Sequence, residues 1–385
     1  MAEEPGGGHR PLRIATVGFS TTPTCGVRDH AALLAAGLER ERINSSIHWL
    51  TREQHELGAS RREIAAWTAR LTAELARERP EAILLHYSVF SWSHRGLPVF
   101  VAGALAALRR LGVPIVSFLH EFAYPWRAAD PRGTLWALSQ RALLIELMRS
   151  SAAAVATIEE RVRWLGSRPW LPSRPLAFAP VFSTLPPPRP DAADGRVAAR
   201  VGLFGYSYEG AAVSLVLDAL RLAHDRGIPL TLMLLGAPGP DSPAGAAWRE
   251  GARARSLGEE LGFSGRLSAQ ELSDALSACE LLLFADGPGP TSRKTTLAAS
   301  LASGSPVLAV DGPRSWPELL AADAAEVVPP SAEALAGAMV ALLGDQPRRE
   351  LLGARGAEFA ASRMGLARSA RVVAETLAQV VPAGR

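Results

Sequence analysis

Lysine is almost missing from this 385-residue chain: among its 41 Lys and Arg residues the single lysine is Lys294. Cysteine is nearly as scarce. Cys25 and Cys279 lie far apart without CxxC spacing or histidine-rich neighbours, which indicates neither a disulfide framework nor a structural zinc site and fits a reducing cytoplasm. No stretch approaches about 20 uninterrupted apolar residues, and Met1 to Arg10 lacks the apolar segment of a signal peptide, so a soluble chain that is not exported is expected. No basic block carries interleaved aromatics, and the net charge of +3 is small and dispersed. Nucleic acid is therefore disfavoured as a partner, and membrane contact is at most peripheral. GxGxxG follows none of the predicted strands, which argues against a dinucleotide-dependent oxidoreductase.

What is present is a globular composition, 48% hydrophobic, at a length that calls for two domains. Apolar runs at Leu12–Phe19, Ile43–Leu50, Glu81–His86, Pro114–His120, Ala154–Thr157 and Leu176–Ala179 read as strands, with amphipathic helices such as Asp29–Arg40 and Arg61–Arg77 between them. Leu185-Pro-Pro-Pro-Arg-Pro190 then breaks the alternation, because proline removes donors and fixes φ. Strands resume at Arg200–Gly205, Leu230–Gly236, Gly262–Leu267, Glu280–Ala285, Pro306–Val310 and Glu326–Val328. The expected fold is α/β, with two doubly wound Rossmann-like domains (1–184 and 200–365) facing a central cleft, a linker over 185–199, and a terminal helix in 366–385 crossing back. Ligands of such sheets bind in the loops after the strands.

One of those loops contains the lone lysine. Glu280–Ala285 is followed by a Gly- and Pro-rich loop over 286–292 and a helix over 295–303. A helix start points unpaired N–H groups and positive dipole at whatever precedes it. Thr291, Ser292, Arg293, Lys294 and the hydroxyls of Thr295 and Thr296 make this loop a cradle for a diphosphate. Chance retention of one lysine is an equal reading of Lys294 taken alone, and the strand, loop, helix order tips the balance.

Other loops carry less specific signals. Gly26, in Thr21 to His30, lets backbone approach an anion, although a structural turn explains it equally well. His120 and Glu121 end the fourth strand and His86 and Tyr87 the third. A satisfied core histidine is the commoner outcome, while a cleft rim favours a ligand or proton-handling role. No spacing supports a metal site from His86, His120 and Glu121, and no metal is expected. Gly205 and Tyr206 follow the second domain's first strand. Gly265, Arg266 and Leu267 precede a helix whose Ser268 and Glu271 have capping-box spacing.

Together, Pro23-Thr-Cys-Gly-Val-Arg-Asp29, Phe118-Leu-His-Glu121, Gly202-Leu-Phe-Gly205, Phe263-Ser-Gly-Arg-Leu-Ser268 and Ala298-Ala-Ser-Leu-Ala-Ser-Gly-Ser-Pro-Val307 resemble the retaining GT-B glycosyltransferases, in particular glycosyltransferase family 4. The resemblance implies a nucleoside-diphosphate sugar held mainly by the C-terminal domain, a hydroxylated acceptor (natural product or glycan) held by the N-terminal one, and no further cofactor. By position it implies Gly26 against the diphosphate, His120 near the donor sugar, with Glu121 beside it, and Arg266 and Leu267 at the nucleobase; His86 and Tyr87 fall on the acceptor side. The family's paired glutamates fall on Thr291 and Ala299, and its basic residue near Glu209, Gly210 and Ala211 is missing. Arg293 and Lys294 are then expected to stabilise the departing diphosphate in a metal-independent, front-face transfer, no DxD-type pair being present. A nucleotide-sugar 2-epimerase and a non-catalytic sugar-nucleotide-binding protein are the alternatives.

Overall fold

The apolar runs form strands because each is short and flanked by turn residues, and the central ones, such as Ala82–Ser88, are buried on both faces, as parallel strands covered by helices must be. The structure, a computed structural model, describes residues 10–22, 25–123, 131–208 and 210–381. Pro23 and Glu209, named above, lie outside the described residues. The chain divides into two compact units, residues 1–180 with 366–385, and residues 181–365.

Unit 1 runs β1 (Leu12–Ser20), α1 (Gly26–Glu39), β2 (Ile43–Thr51), α2 (Leu57–Glu78), β3 (Ala82–Ser88), α3 (Val101–Arg109), β4 (Ile115–Glu121), α4 (Pro131–Ser150), β5 (Ala153–Ala156), α5 (Glu159–Gly166) and β6 (Leu176–Phe178). The strands pair in parallel in the order β2-β1-β3-β4-β5-β6. The order reverses between β1 and β3. One core joins Val17, Phe19, Leu85, Tyr87 and Leu119 of the sheet to Leu71 and Leu75 of α2 and Leu105 of α3.

Unit 2 runs β7 (Val197–Phe204), α6 (Gly210–Asp225), β8 (Thr231–Leu235), α7 (Pro243–Arg253), β9 (Leu261–Phe263), α8 (Ala269–Ser277), β10 (Cys279–Phe284), α9 (Thr295–Ala302), β11 (Val307–Val310), α10 (Pro317–Ala321), β12 (Glu326–Val328), α11 (Ala332–Gly344) and α12 (Gln346–Arg363). Its parallel sheet has the order β12-β11-β10-β7-β8-β9, so the reversal lies between β7 and β10. A last helix, α13 (Leu366–Val380), returns to unit 1, where it packs on α1 and β5 and Ser369 Oγ donates to the Pro180 carbonyl at 2.8 Å.

The segment expected as a linker does not hang between domains. Ser273 Oγ of α8 donates to the Pro186 carbonyl (2.6 Å), Gln270 Nε2 to that of Pro187 (3.2 Å), and the Arg189 N–H to Asp274 (2.8 Å). A proline run has few N–H groups but keeps its carbonyls, and α8 supplies their donors. β7 also starts at Val197, inside the expected linker.

Trp248 of α7 is fully buried, and its indole N–H donates to the Tyr206 carbonyl at 2.8 Å, tying α7 to the loop after β7. Trp248→Phe removes that donor while keeping most of the apolar volume. It is expected to lower the stability of unit 2 by about 1–3 kcal/mol, the cost of an unmet buried carbonyl, read as a drop in thermal midpoint with far-UV dichroism unchanged.

Candidate functional site

The loops at the unit 2 reversal point converge. Gly205 follows β7 at φ +73°, and a Cβ there would lie 2.7 Å from Cγ2 of Thr296 in the first turn of α9. Glycine is needed at Gly205 both for the left-handed backbone and for this close approach. Tyr208 closes the same junction, its hydroxyl accepting the Ala285 N–H at 3.4 Å. Burial pushes the Tyr208 phenol up, so it stays protonated beside Asp286.

Lys294 occupies the N-cap of α9 with extended backbone (φ −97°, ψ 111°), and its side chain makes no capping bond. Natural caps are Ser, Thr, Asp or Asn, which would satisfy an N–H of the first turn. Lysine has no acceptor to offer, so these N–H groups remain available to an anion. Thr291 is 1% exposed, and its hydroxyl has no hydrogen-bond partner among the described residues. Ser292, equally buried, is anchored by its backbone, its carbonyl accepting from the Val181 N–H at 2.9 Å. Arg293, Thr295 and Thr296 are half-buried at the mouth of the loop.

The ammonium expected to await a diphosphate already has a partner. Lys294 Nζ lies 3.0 Å from Asp286, the first residue of the loop. The pair ties the two ends of the loop, because a carboxylate is the nearest counter-charge in a partly desolvated turn. The loop is also braced from outside: the Arg314 N–H donates to the Pro288 carbonyl and the Trp316 N–H to that of Pro290, both at 2.9 Å. Asp286 was missed from sequence because the seven intervening residues carry no periodic signal for a contact that loop closure creates.

Other expected donor contacts separate. Tyr206 is a core residue, fully buried, with its hydroxyl accepting the Gly239 N–H at 2.7 Å, which corrects its placement in a ligand loop. Gly265, at φ +68° with open space around its missing Cβ, exposed Arg266 and half-buried Leu267 follow the edge strand β9, two strands from β7. Ser268 and Glu271 form the capping box of α8. Ala299, where the resemblance calls for a second carboxylate, is a buried residue of α9.

In unit 1 the reversal point is lined by histidine. Strand alternation sends His86 and Tyr87 to opposite faces. Tyr87 joins the core 6.1 Å from Trp92, and is not the acceptor-side rim residue expected. His86 and His120 face α1 instead, 1% and 7% exposed, with His86 Nδ1 3.0 Å from His120 Nε2. The third ring is His30 of α1, 1% exposed, rather than Glu121; ring centroids of His30 lie 5.1 Å from His120 and 6.1 Å from His86. The sugar contact expected of His120 would need a ring already bonded to His86. His30 was visible only as a polar residue on the buried stripe His30, Ala31, Leu34, Ala35, Leu38. Gly26 opens α1, exposed and with nothing near its missing Cβ.

Burial drives all three imidazoles toward the neutral form. The pKa of His120 is pushed down to about 3 by desolvation, and those of His30 and His86 fall well below the usual value through desolvation and then repulsion from His120. Above pH 6.5 both folded and unfolded states are neutral and nothing is lost. As pH falls from 6.5 toward about 3, the unfolded chain takes up protons the cluster refuses, and stability declines.

With two six-stranded parallel sheets, each flanked by helices and each reversing its strand order once, the chain has the GT-B architecture of two Rossmann-like domains. Solved structures bear this out. HepE of Anabaena, in complex with UDP and glucose, superposes with a TM-score of 0.67 at 14% identity, covering 96% of this chain and 100% of that one. WaaG, a glycosyltransferase involved in lipopolysaccharide biosynthesis, gives 0.63, 14%, 96% and 100%. The UDP-GlcNAc 2-epimerase of Neisseria meningitidis, bound to UDP-GlcNAc, gives 0.60, 13%, 96% and 100%. No protein-family model and no curated protein matches the sequence.

Two outcomes check this description. Gly205→Ala should destabilise unit 2 by about 1–2 kcal/mol, the cost of a left-handed non-glycine residue, and displace Thr296, read by thermal unfolding and by Thr296 amide shifts. Denaturant unfolding of the metal-free chain should show the unit 1 transition weakening from pH 7.5 to 5, by up to about 1.4 kcal/mol per pH unit for each buried histidine; a flat profile would mean the rings are solvated.

Proposed function

We propose that the chain is a glycosyltransferase that moves a sugar from a nucleoside-diphosphate donor to an acceptor hydroxyl, with the donor diphosphate on the first turn of α9. The observation that carries this reading is the uncapped α9 start at the β7–β10 reversal, with Arg293, Lys294 and the unpaired Thr291 hydroxyl gathered on it. Breaking the anomeric C–O bond leaves negative charge on the departing diphosphate, and preorganised N–H groups and cations aimed there lower the barrier. The leaving phosphate serves as the acceptor's base in a retaining, front-face displacement, and no metal ion is invoked at the diphosphate. β9 and β10 stand three strands apart, roughly 14 Å at the usual strand spacing. A donor with its base at Gly265 to Leu267 and its diphosphate at α9 is accordingly extended.

The Asp286–Lys294 pair does not block this role. A partly exposed ion pair is worth about 1 kcal/mol or less, whereas a charge-assisted hydrogen bond to phosphate is worth about 1.5–3 kcal/mol. Arriving diphosphate therefore recruits Lys294 at small cost. The same pair, with Thr291 and Ala299 at the carboxylate positions, favours a second reading, a protein that binds sugar nucleotides without turning them over. An epimerase is the third, supported by the architecture it shares with glycosyltransferases.

Calorimetry with uridine, thymidine and guanosine diphosphates and their sugars separates these readings. Lys294→Ala should weaken diphosphate binding about 10- to 100-fold, and Asp286→Asn should strengthen it about three- to tenfold by removing a like charge. Arg349 cannot serve as the neutral control. It pairs with Glu280 at 2.6 Å and donates to the Leu342 and Leu343 carbonyls; exposed Arg266 is excluded by its proposed role, so Arg61 on α2 serves instead. Donor consumption only with acceptor present supports transfer, conversion without acceptor supports epimerisation, and binding without turnover over a broad acceptor panel removes the enzyme reading.

A further inference from the structure

The histidine cluster of unit 1 is left unused by the transfer chemistry. His30 comes from α1, His86 from β3 and His120 from β4, and one ring nitrogen from each lies within 4.8 Å of the other two. The site is empty. His86 and His120 sit two residues out of register on neighbouring parallel strands, since His86 aligns with Phe118, so both side chains rise from the same face. The Phe118 ring packs within 5.2 Å of all three imidazoles, centroid to centroid, and Trp49 stands 6.2 Å from His86.

Three rings bring six nitrogens into a space walled by aromatic carbon. The single hydrogen bond among them, from His86 Nδ1 to His120 Nε2 or the reverse, engages two. His86 Nε2 is buried and has no hydrogen-bond partner among the described residues. A buried polar atom left unmet costs about 1–3 kcal/mol, so His86 Nε2 needs a compensating interaction. Their neutral, lone-pair form at physiological pH is the one a metal binds.

We propose that His30, His86 and His120 bind one first-row transition-metal ion of the imidazole-preferring class, zinc(II) being the probe. Ligand nitrogens around a tetrahedral ion with bonds of about 2.0–2.1 Å stand roughly 3.3 Å apart. The His86–His120 pair at 3.0 Å already meets that spacing, and the remaining separations of up to 4.8 Å close by small ring rotations about χ1 and χ2. Three protein ligands leave a fourth position, and His120, at 7% exposure, is the least buried of the three. Arg161 donates to the His120 backbone carbonyl at 3.1 Å and leaves the ring nitrogens free of that contact. The ion would fasten the N-terminal half of α1 to β3 and β4. This inference is independent of sugar transfer and stands or falls without it.

The full chain, stripped with chelator, is titrated with zinc(II) alone while bound metal is counted by elemental analysis. One ion per chain is expected, with a rise in thermal midpoint, and cobalt(II) in its place should give the intense visible bands of a four-coordinate ion. His30→Gln and His86→Gln should each weaken binding at least tenfold. His48→Gln is the comparison, because His48 with Glu74 and Glu78 forms a competing group on the edge strand β2, at 3.4 and 3.2 Å. Zinc lost in His48→Gln but retained in His30→Gln overturns the proposal, as does a stripped chain that takes up no ion at micromolar zinc. Should a histidine variant fail to fold, X-ray absorption at the zinc edge of the unaltered chain decides: three imidazoles support the site, and one or none overturns it.

Discussion

The helix start at α9 is the constraint around which unit 2 is arranged. Its N-cap residue gives the first-turn N–H groups no side-chain acceptor, since lysine carries only donors. Everything nearby keeps that start open. Gly205 withdraws its side chain so that Thr296 can approach, Tyr208 holds β10's last peptide, and the loop of 311–316 takes up the carbonyls of Pro288 and Pro290. Asp286 compensates the ammonium meanwhile. A carboxylate in that place stores the lysine in a defined position at a cost small enough for a phosphate to reverse.

Both sheets place their chemistry by the same rule. In unit 2 the strand order reverses between β7 and β10, and the glycine of one following loop touches the helix fed by the other. In unit 1 it reverses between β1 and β3, and there α1 and the end of β3 contribute His30 and His86. At a reversal point the two crossover helices leave on opposite faces, so the strand ends between them are not covered by their own connections. The open strand ends are thus a property of topology, and the residues placed there differ: N–H groups with cations in one unit, lone-pair donors in the other.

Much of this was legible in the chain itself. Strand positions followed from apolar runs bounded by Gly and Pro, and the cap of α8 from Ser268 and Glu271, because both signals are local. The strand, loop, helix order around Lys294 was readable for the same reason. Contacts that join distant residues were not. The Asp286–Lys294 pair depends on how a loop folds back, and the burial of Tyr206 and Tyr87 on which strand face meets the core. The 185–199 segment misled because prolines signal the end of regular structure without saying what their carbonyls will pack against. His30 belongs with these: its partners lie 56 and 90 residues downstream, on two strands, and only sheet register aligns them.

The histidines show how polar side chains line a buried reversal point without carrying charge. An acid against the same apolar wall would take up a proton. Neutral imidazoles escape that penalty and can take a cation without prior deprotonation. The unit 2 loops are a separate case: Thr291 and Ala299 stand where the resemblance places carboxylates, and each carboxylate that is not there lowers the repulsion an anion would meet at the α9 start.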